Sequence, residues 1–356
     1  MQKSILFAAE EVNAAGGAAG RQFVVFSEDD QTSPDPAVLA TKKLLEVNKV
    51  DAVLGQWSSA VALAIMPFLQ PARKIQMVTG GASEVSTKDQ YDLVWRFTTT
   101  SERLGEALAV SAAKDPSLRR AAVLNLNNPS PNDGASGFIK RWKALGREVT
   151  TSIVYEMKQA SYRSELQKAL ATKPDLIANY GFMPDATILL REWYEAGGSQ
   201  KWISPGFAVN PKLVEAVGHE VAEGVMAVNI VSDEEAATFQ HFSKKYQQLV
   251  GAPVGDNSYA AGCYDMVITL ALAIEAAGPN ADNMKIVAKI REVVNPPGEK
   301  VYSFAEGKKL LQAGKKINYE GASGPLDFDD KGDPLPVYSL DVIQKGKFVR
   351  SSIVRL

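Results

Sequence analysis

The sequence contains few of the residues that most often carry redox, nucleophilic or metal chemistry. Its 356 residues include one cysteine, Cys263, and two histidines, His219 and His241. A single cysteine excludes an intrachain disulfide, and the apolar residues around Cys263 favour a buried small side chain over a reactive thiol. The histidines lie far apart in polar stretches without metal-ligand spacing. We therefore expect both at the surface, and we predict neither a metal site nor a cofactor.

The sequence also lacks a surplus of positive charge and a long hydrophobic run. The formal net charge is −2 and the sequence pI is about 5.9, which leaves no basic surplus to hold a nucleic-acid backbone. The longest uncharged apolar stretch, Met266 to Ile274, is far shorter than the ~20 residues of a membrane-spanning helix. No signal peptide is recognisable. We expect a protein that neither binds nucleic acid nor is embedded in a membrane.

Motifs of the common α/β enzymes are missing. Lysine follows glycine at Lys308, Lys315 and Lys347, but no serine or threonine comes next, which excludes a P-loop. No strand–helix junction carries the Gly-x-Gly-x-x-Gly fingerprint of dinucleotide binding. The glycine–serine segments at 134–137 and 321–324 do not have the Gly-x-Ser-x-Gly spacing of a nucleophile elbow. We predict that the protein is not an enzyme, with a carboxylate-only mechanism left open.

The sequence does contain a regular alternation of short β-branched segments with helical segments. Strands are predicted at 22–26, 50–55, 75–79, 94–98, 121–126, 149–155, 175–180, 201–204 and 224–229. Helices are predicted at 5–12, 35–46, 59–69, 102–113, 137–145, 162–171, 184–196 and 211–216, and from a capping box of Ser232 with Glu235 to about 249. Such alternation implies parallel sheets with helices on both faces. Together with the chain length, it predicts an α/β protein of two doubly wound parallel-sheet lobes.

The pattern changes beyond Gly251. Two helices are predicted in succession, near 258–277 and 282–293, followed by strands at 326–328, 337–344 and 348–354. We interpret this part as chain that returns to cover both lobes and to add edge strands to them.

Two polar loops follow neighbouring strands of the first predicted lobe. Strand 50–55 leads through Trp57 into two serines at the start of a helix, where free N–H groups and the helix dipole favour an anion. The next strand leads into a glycine-rich loop that exposes its backbone. Open α/β sheets bind ligands at the carboxyl ends of their strands. The predicted ligand-binding residues here are Trp57, Ser58, Ser59, Gly80, Gly81 and Ser83.

Three aromatic residues, Tyr180, Phe182 and Phe207, follow later strands in the same way. We predict them as further ligand-binding residues, because these loops are where a second lobe would meet a ligand. Each candidate also has a simpler interpretation. The serines can be ordinary N-caps, the glycines an ordinary turn, and the aromatic side chains part of the core.

The chain resembles the periplasmic leucine/isoleucine/valine-binding protein family, the type I solute-binding proteins of ABC transporters. The opening phrase at 8–17, AAEEVNAAGG, is typical of that family. Further similar phrases follow in the same order at 20–21, 28–30, 43–45, 50–55, 58–60, 95–98, 222–225, 259–261, 264–265 and 321–328. The resemblance covers nearly the whole chain, and its pieces are specific in combination.

The resemblance implies a type I periplasmic binding protein fold, with two lobes joined by three crossovers that close on a ligand like a hinge. The expected division is 1–100 plus 253–323 for the N-terminal lobe and 101–252 plus 324–356 for the C-terminal lobe. Because the family begins with a β-strand and this chain opens in a helix, we expect the first strand of the N-terminal lobe to be missing. In the family, residues matching Ser59, Gly81 and Ser83 hold the ligand carboxylate.

Two departures bear on the ligand. The family often opens a second-lobe helix with Tyr-Gly, where this chain has NPSPND at 128–133. There is no obvious acid near Gly206 and Phe207 to bind an ammonium group, which leaves aromatic and aliphatic carboxylates open beside amino acids. The resemblance thus implies a monomeric periplasmic protein that captures a small carboxylate-bearing ligand for the permease subunits of an ABC importer. The alternative is a ligand-sensing regulator of the same fold.

Overall fold

The chain divides into two compact units. The computed structural model describes residues 1–254, 257 and 259–356. Unit 1 comprises 1–99 and 232–336, and unit 2 comprises 100–231 and 337–356. The segments 232–252 and 324–336, which we expected in the C-terminal lobe, therefore belong to unit 1.

Hydrogen bonds explain why the first of these segments belongs to unit 1. The Thr238 hydroxyl donates to the carbonyl oxygens of Tyr302, at 3.1 Å, and Glu320, at 2.7 Å. The expected boundary near 253 was implied by the family resemblance and lay close to the change of sequence pattern at Gly251. That change marks the end of a helix and not a passage between units.

Unit 1 contains a three-stranded parallel sheet and a three-stranded mixed sheet. Its helices are α1 (Gln2–Ala14), α2 (Pro34–Glu46), α3 (Ser59–Leu69), α4 (Glu84–Thr87), α11 (Ala237–Val250), α12 (Ala260–Ala277), α13 (Asn283–Val294) and α14 (Phe304–Gln312). Its strands are β1 (Ala52–Gln56), β2 (Ile75–Val78), β3 (Val94–Arg96), β9 (Glu299–Val301), β10 (Ile317–Gly321) and β11 (Gly324–Pro325). Strands β1, β2 and β3 pair in parallel in that order, so their carboxyl ends share one edge.

Helix α12 is the centre of the unit 1 core. Every residue from Ala260 to Ile274 is buried, which explains its almost uniformly apolar and small side chains. The buried Cys263 is part of this helix, as predicted. Among the described residues, α12 is the one helix long and apolar enough to cross a bilayer, and 83% of it is buried inside the protein. The predicted helix began at Ser258, which lies outside the described residues.

Unit 2 is built on one mainly parallel sheet. Its helices are α5 (Ser101–Ala113), α6 (Pro129–Ala144), α7 (Arg163–Ala171), α8 (Met183–Glu195), α9 (Pro211–Val217) and α10 (His219–Ala222). Its strands are β4 (Arg120–Leu126), β5 (Glu148–Tyr155), β6 (Leu176–Tyr180), β7 (Lys201–Pro205), β8 (Met226–Ile230), β12 (Tyr338–Gln344) and β13 (Lys347–Val354). Their order is β13-β12-β8-β7-β6-β4-β5, and β12 runs antiparallel to both of its neighbours. The α/β class and the mainly parallel sheets are confirmed.

The prediction of a strand at 22–26 is wrong for the described structure. The segment alternates between partly buried and exposed side chains, which is the pattern that suggested a strand. However, its main chain bonds to a side chain and not to a neighbouring strand: Phe23 N–H donates to Asn13 Oδ1 at 2.7 Å, and Asn13 Nδ2 donates to Phe23 O at 2.9 Å. Periodicity reports which side chains face the core, whereas a strand also needs a paired neighbour.

Other element boundaries also differ from the predictions. Residues 326–328 do not form a strand; Phe328 makes one isolated bridge to Pro334. Ser232 does not cap a helix, because α11 begins only at Ala237. The sequence analysis missed α14, whose N-cap Ser303 accepts a hydrogen bond from Glu306 N–H at 3.3 Å. A serine followed three residues later by glutamate was the available signal.

Glycines allow α5 and α6 to pack backbone against backbone. A Cβ atom added to Gly105 would lie 2.0 Å from the carbonyl oxygen of Gly134, and one added to Gly137 would lie 2.1 Å from that of Glu102. The glycine–serine segment at 134–137 therefore serves helix packing. The segment lies inside α6, because this helix begins at Pro129 and not at the predicted residue 137.

We predict that Gly137→Ala lowers the free energy of unfolding by about 1–3 kcal/mol, because the added methyl overpacks the contact with Glu102. Ordinary helix propensity would give the opposite sign, a gain of about 1 kcal/mol. Urea denaturation measures the difference, and Ser136→Ala at the adjacent exposed position is the matched control. A stabilised Gly137→Ala protein would show that the helices are not in backbone contact.

Candidate functional site

The two polar loops predicted from the sequence meet in unit 1. The main-chain N–H of Ala82 donates to Ser59 Oγ at 2.9 Å. The N–H groups of Thr79 and Gly80 both donate to the carbonyl oxygen of Gln56, at 3.0 and 3.2 Å. The loops are therefore joined at the common carboxyl edge of β1 and β2, as parallel neighbouring strands require.

Helix α3 directs its N-terminus to this junction. Ser58 is the N-cap in an extended conformation, and its side chain makes no capping hydrogen bond. The first helical bond runs from Ala62 N–H to Ser58 O at 2.9 Å, so the amides of residues 59–61 precede the intrahelical ladder. Ser58 is partly exposed, whereas Ser59 is buried. The end of α3 thus presents positive partial charge beside a hydroxyl that is not used for capping.

Ser59 has a structural contact that the sequence analysis did not foresee. Its Oγ accepts the hydrogen bond from Ala82, which uses a lone pair and leaves the hydroxyl proton to be donated elsewhere. Gly80 packs directly on it, since a Cβ atom there would lie 3.0 Å from both the nitrogen and the Oγ of Ser59. Glycine at position 80 therefore permits the close approach of the two loops.

An aromatic pair flanks the serines in unit 1. The ring centroids of Trp57 and Tyr259 lie 6.3 Å apart at 79°, an edge-to-face arrangement. Burial raises the pKa of Tyr259 to about 12, and a hydrogen bond from the Trp57 indole lowers it. The phenol is therefore neutral at physiological pH. Both residues are partly exposed. Tyr259, at the N-cap of α12, was not predicted as a site residue, although it belonged to a family-like phrase.

A buried ion pair lies behind the glycine-rich loop. Arg96 and Asp333 are 0% and 4% exposed, and Arg96 Nε donates to Asp333 Oδ1 at 2.7 Å. Arg96 Nη2 donates to Ser86 Oγ at 2.7 Å and to the carbonyl oxygen of Ala82 at 3.0 Å. Ser86 in turn donates to Asp333 Oδ1 at 2.6 Å. Both peptide groups that flank the Cα of Ala82 are thus held by side chains.

The predicted residues of unit 2 divide into one core residue and one aromatic pair. Tyr180 is fully buried and its ring fills the space left by Gly134, where a Cβ atom would come within 2.1 Å of it. The structure therefore favours the packing interpretation for Tyr180. Phe182 and Phe207 remain partly exposed, with ring centroids 6.2 Å apart. They lie beyond the carboxyl ends of β6 and β7.

An acid does lie at this edge of unit 2, but it is internally bonded. Asp185 Oδ1 accepts from Phe182 N–H at 3.0 Å, and its Oδ2 accepts from the Tyr155 hydroxyl. Burial raises the pKa of Asp185, while these hydrogen bonds lower it. Asp185 thus closes the first turn of α8, a role that the sequence analysis missed although an acid three residues after an N-cap is a known signal.

Comparisons with known proteins agree with this architecture. The family model described as periplasmic binding protein matches residues 1–335. The Leu/Ile/Val-binding protein homolog 1 of Brucella abortus is 24% identical over 97% of this chain and 86% of its own length. A leucine binding protein, LivK, from Thermotoga maritima superposes with a TM-score of 0.83 at 21% identity, over 99% of this chain and 93% of the other. A solute binding protein from R. palustris in complex with benzoate gives 0.78 at 21%, over 99% and 91%.

The chain belongs to the periplasmic binding protein family, and the resemblance to Leu/Ile/Val-binding proteins is confirmed. Its fold is the type I periplasmic binding protein fold.

We predict that Ser59→Ala lowers the free energy of unfolding by about 1–3 kcal/mol, because the buried N–H of Ala82 loses its acceptor. Ser58→Ala should cost less than about 0.5 kcal/mol, since the Ser58 side chain makes no capping bond. Chemical denaturation of the two variants beside the wild type provides the measurement. Equal effects of the two substitutions would contradict the bracing role of Ser59.

Proposed function

We propose that this protein is the extracytoplasmic solute-binding component of an ABC importer. It captures a small carboxylate-bearing ligand, either an amino acid or an aromatic or aliphatic acid, in the periplasm and delivers it to permease subunits. The two lobes close around the ligand like a hinge, and the protein acts as a monomer without catalysing a reaction. Membership of the periplasmic binding protein family supports this proposal.

The observation that carries the proposal is the hydrogen bond between Ser59 Oγ and Ala82 N–H. It joins the N-terminus of α3 to the loop at 80–83, so that two sets of main-chain N–H groups and the Ser58 hydroxyl are concentrated in one place. Such a group of donors at a helix N-terminus suits an anion, and a carboxylate accepts several hydrogen bonds at once. We assign the ligand carboxylate to Ser58, Gly81 and Ser83, with Ser59 as the brace between the loops.

Aromatic side chains set the character of the remaining contacts. Trp57 and Tyr259 flank the carboxylate position, and Phe182 with Phe207 form the partly exposed aromatic pair of unit 2. Asp185, the acid at the unit 2 edge, is already bonded to Phe182 N–H and Tyr155. These features suit an apolar or aromatic body attached to the carboxylate. Among the related structures, one is a leucine binding protein and another is in complex with benzoate.

We predict that ligands with a carboxylate raise the melting temperature and that the corresponding amides, which lack the anionic group, do not. The test compares leucine with leucinamide and benzoate with benzamide, together with further aliphatic acids, by thermal shift and calorimetry. A ligand at 100 times its Kd stabilises the folded protein by about 2.7 kcal/mol. Binding of amides as tight as that of acids would contradict the anion site.

Ser58→Ala is the matched variant for this experiment, because it leaves the fold undisturbed. We expect it to weaken binding of the responding acid by about 1–3 kcal/mol, since one charge-assisted hydrogen bond is lost. Ser199→Ala, at an exposed loop position of unit 2, should bind like the wild type. Unchanged affinity in Ser58→Ala would place the carboxylate elsewhere.

A further inference from the structure

The buried ion pair of Arg96 and Asp333 has a geometry that bears on the ligand loop. Of the three groups that the Arg96 guanidinium contacts, one is the carbonyl oxygen of Ala82, at 3.0 Å. The other two, Asp333 and Ser86, contact each other at 2.6 Å and so form a closed polar cluster with the guanidinium. The cluster is buried, and therefore its hydrogen bonds are not shared with bulk water.

The position of the Ala82 carbonyl determines where the next amide points. In a trans peptide group, the C=O and the following N–H point in opposite directions. Because the Ala82 carbonyl accepts from the buried guanidinium, and also from Val85 N–H at 3.1 Å, the N–H of Ser83 points away from the guanidinium. A charge-assisted hydrogen bond to the carbonyl also polarises the peptide group and strengthens its N–H as a donor.

We infer that Arg96 is a positioning residue of the anion site. It fixes the peptide group between Ala82 and Ser83, and with it the conformation of the loop at 80–83 that we assign to the ligand carboxylate. Asp333 and Ser86 hold Arg96 in that orientation. This inference rests on the proposed function for the identity of the ligand. The orientation of the loop itself can be tested without any ligand.

The hydrogen bonds around Ala82 and Asp333 support a role of Arg96 beyond simple packing. The hydrogen bonds on either side of Ala82, to Ser59 Oγ and from Arg96 Nη2, hold the residue from two elements of unit 1, α3 and β3. Asp333 is itself held, since its N–H donates to Asp329 Oδ1 at 3.0 Å, and the N–H of Arg96 donates to the carbonyl oxygen of Gly332 at 2.9 Å. The ligand loop is therefore connected through this ion pair and Ser86 to a segment about 250 residues later in the sequence.

The test uses Arg96→Lys, which keeps the positive charge beside Asp333 but lacks the planar fork needed to reach both Asp333 and Ala82. Residue-resolved hydrogen exchange of the ligand-free protein is the first measurement. We expect the Ala82 amide to exchange at least tenfold faster, with the amides of Met77 in β2 and Val123 in β4 unchanged. Calorimetry with leucine and benzoate is the second, and we expect at least a tenfold loss of affinity for the probe that binds the wild type.

A second variant keeps the test decisive if Arg96→Lys does not fold. Arg96→Met combined with Asp333→Leu removes both charges and replaces the buried pair by apolar side chains, a change that proteins often tolerate. It should show the same faster exchange at Ala82. Arg291→Lys is the control, because Arg291 also forms a two-fold contact with a carboxylate, Asp92, and bonds to Asp329 O, but does not contact Ala82. It should leave the exchange of Ala82 unchanged.

The outcomes separate this inference from the proposed function. Unchanged exchange of Ala82 in the folded Arg96 variants would overturn the positioning role, whatever the ligand affinity. Faster exchange with unchanged affinity would also overturn it, because the loop would then not matter to the ligand. If neither probe binds the wild type while exchange accelerates at Ala82 alone, the brace on the loop is supported and the proposed ligand class fails.

Discussion

The hydrogen bond from Ala82 N–H to Ser59 Oγ is the contact on which the candidate site depends. It joins the start of α3 to the loop after β2, and Gly80 favours this close approach because a Cβ atom there would lie 3.0 Å from Ser59. The loops come together because β1 and β2 are parallel neighbours, so that both carboxyl ends reach the same edge. The candidate site therefore depends both on the sequences of the two loops and on the pairing of β1 with β2.

The two units differ in the chemical groups that lie at the carboxyl ends of their parallel strands. In unit 1 the strand ends expose backbone and hydroxyl donors beside an aromatic pair, Trp57 and Tyr259. In unit 2 the loops after β6 and β7 carry the partly exposed rings of Phe182 and Phe207. The acid at this edge, Asp185, caps helix α8. The donors of unit 1 are the part of the proposed site that would hold a carboxylate.

Much of this could be predicted from the sequence, because the alternation of strands and helices determines which loops share an edge. Ser58, Ser59, Gly80, Gly81 and Ser83 lie in the segments that follow two neighbouring strands and were predicted together for that reason. Tyr259 and Asp333 were missed, since they reach the site through packing of chain about 200 and about 250 residues away, which no local pattern reports. The segment 22–26 shows the converse limit: its alternation was real, but its main chain bonds to Asn13 and not to a strand.

The most direct test of the account is a crystal structure of the protein with a bound acid that stabilises it, or with the molecule that co-purifies with it. The account predicts a carboxylate within hydrogen-bonding distance of Ser58 Oγ and of main-chain N–H groups in the loop at 80–83. A ligand whose carboxylate lies elsewhere, or a ligand without an anionic group at this position, would contradict it.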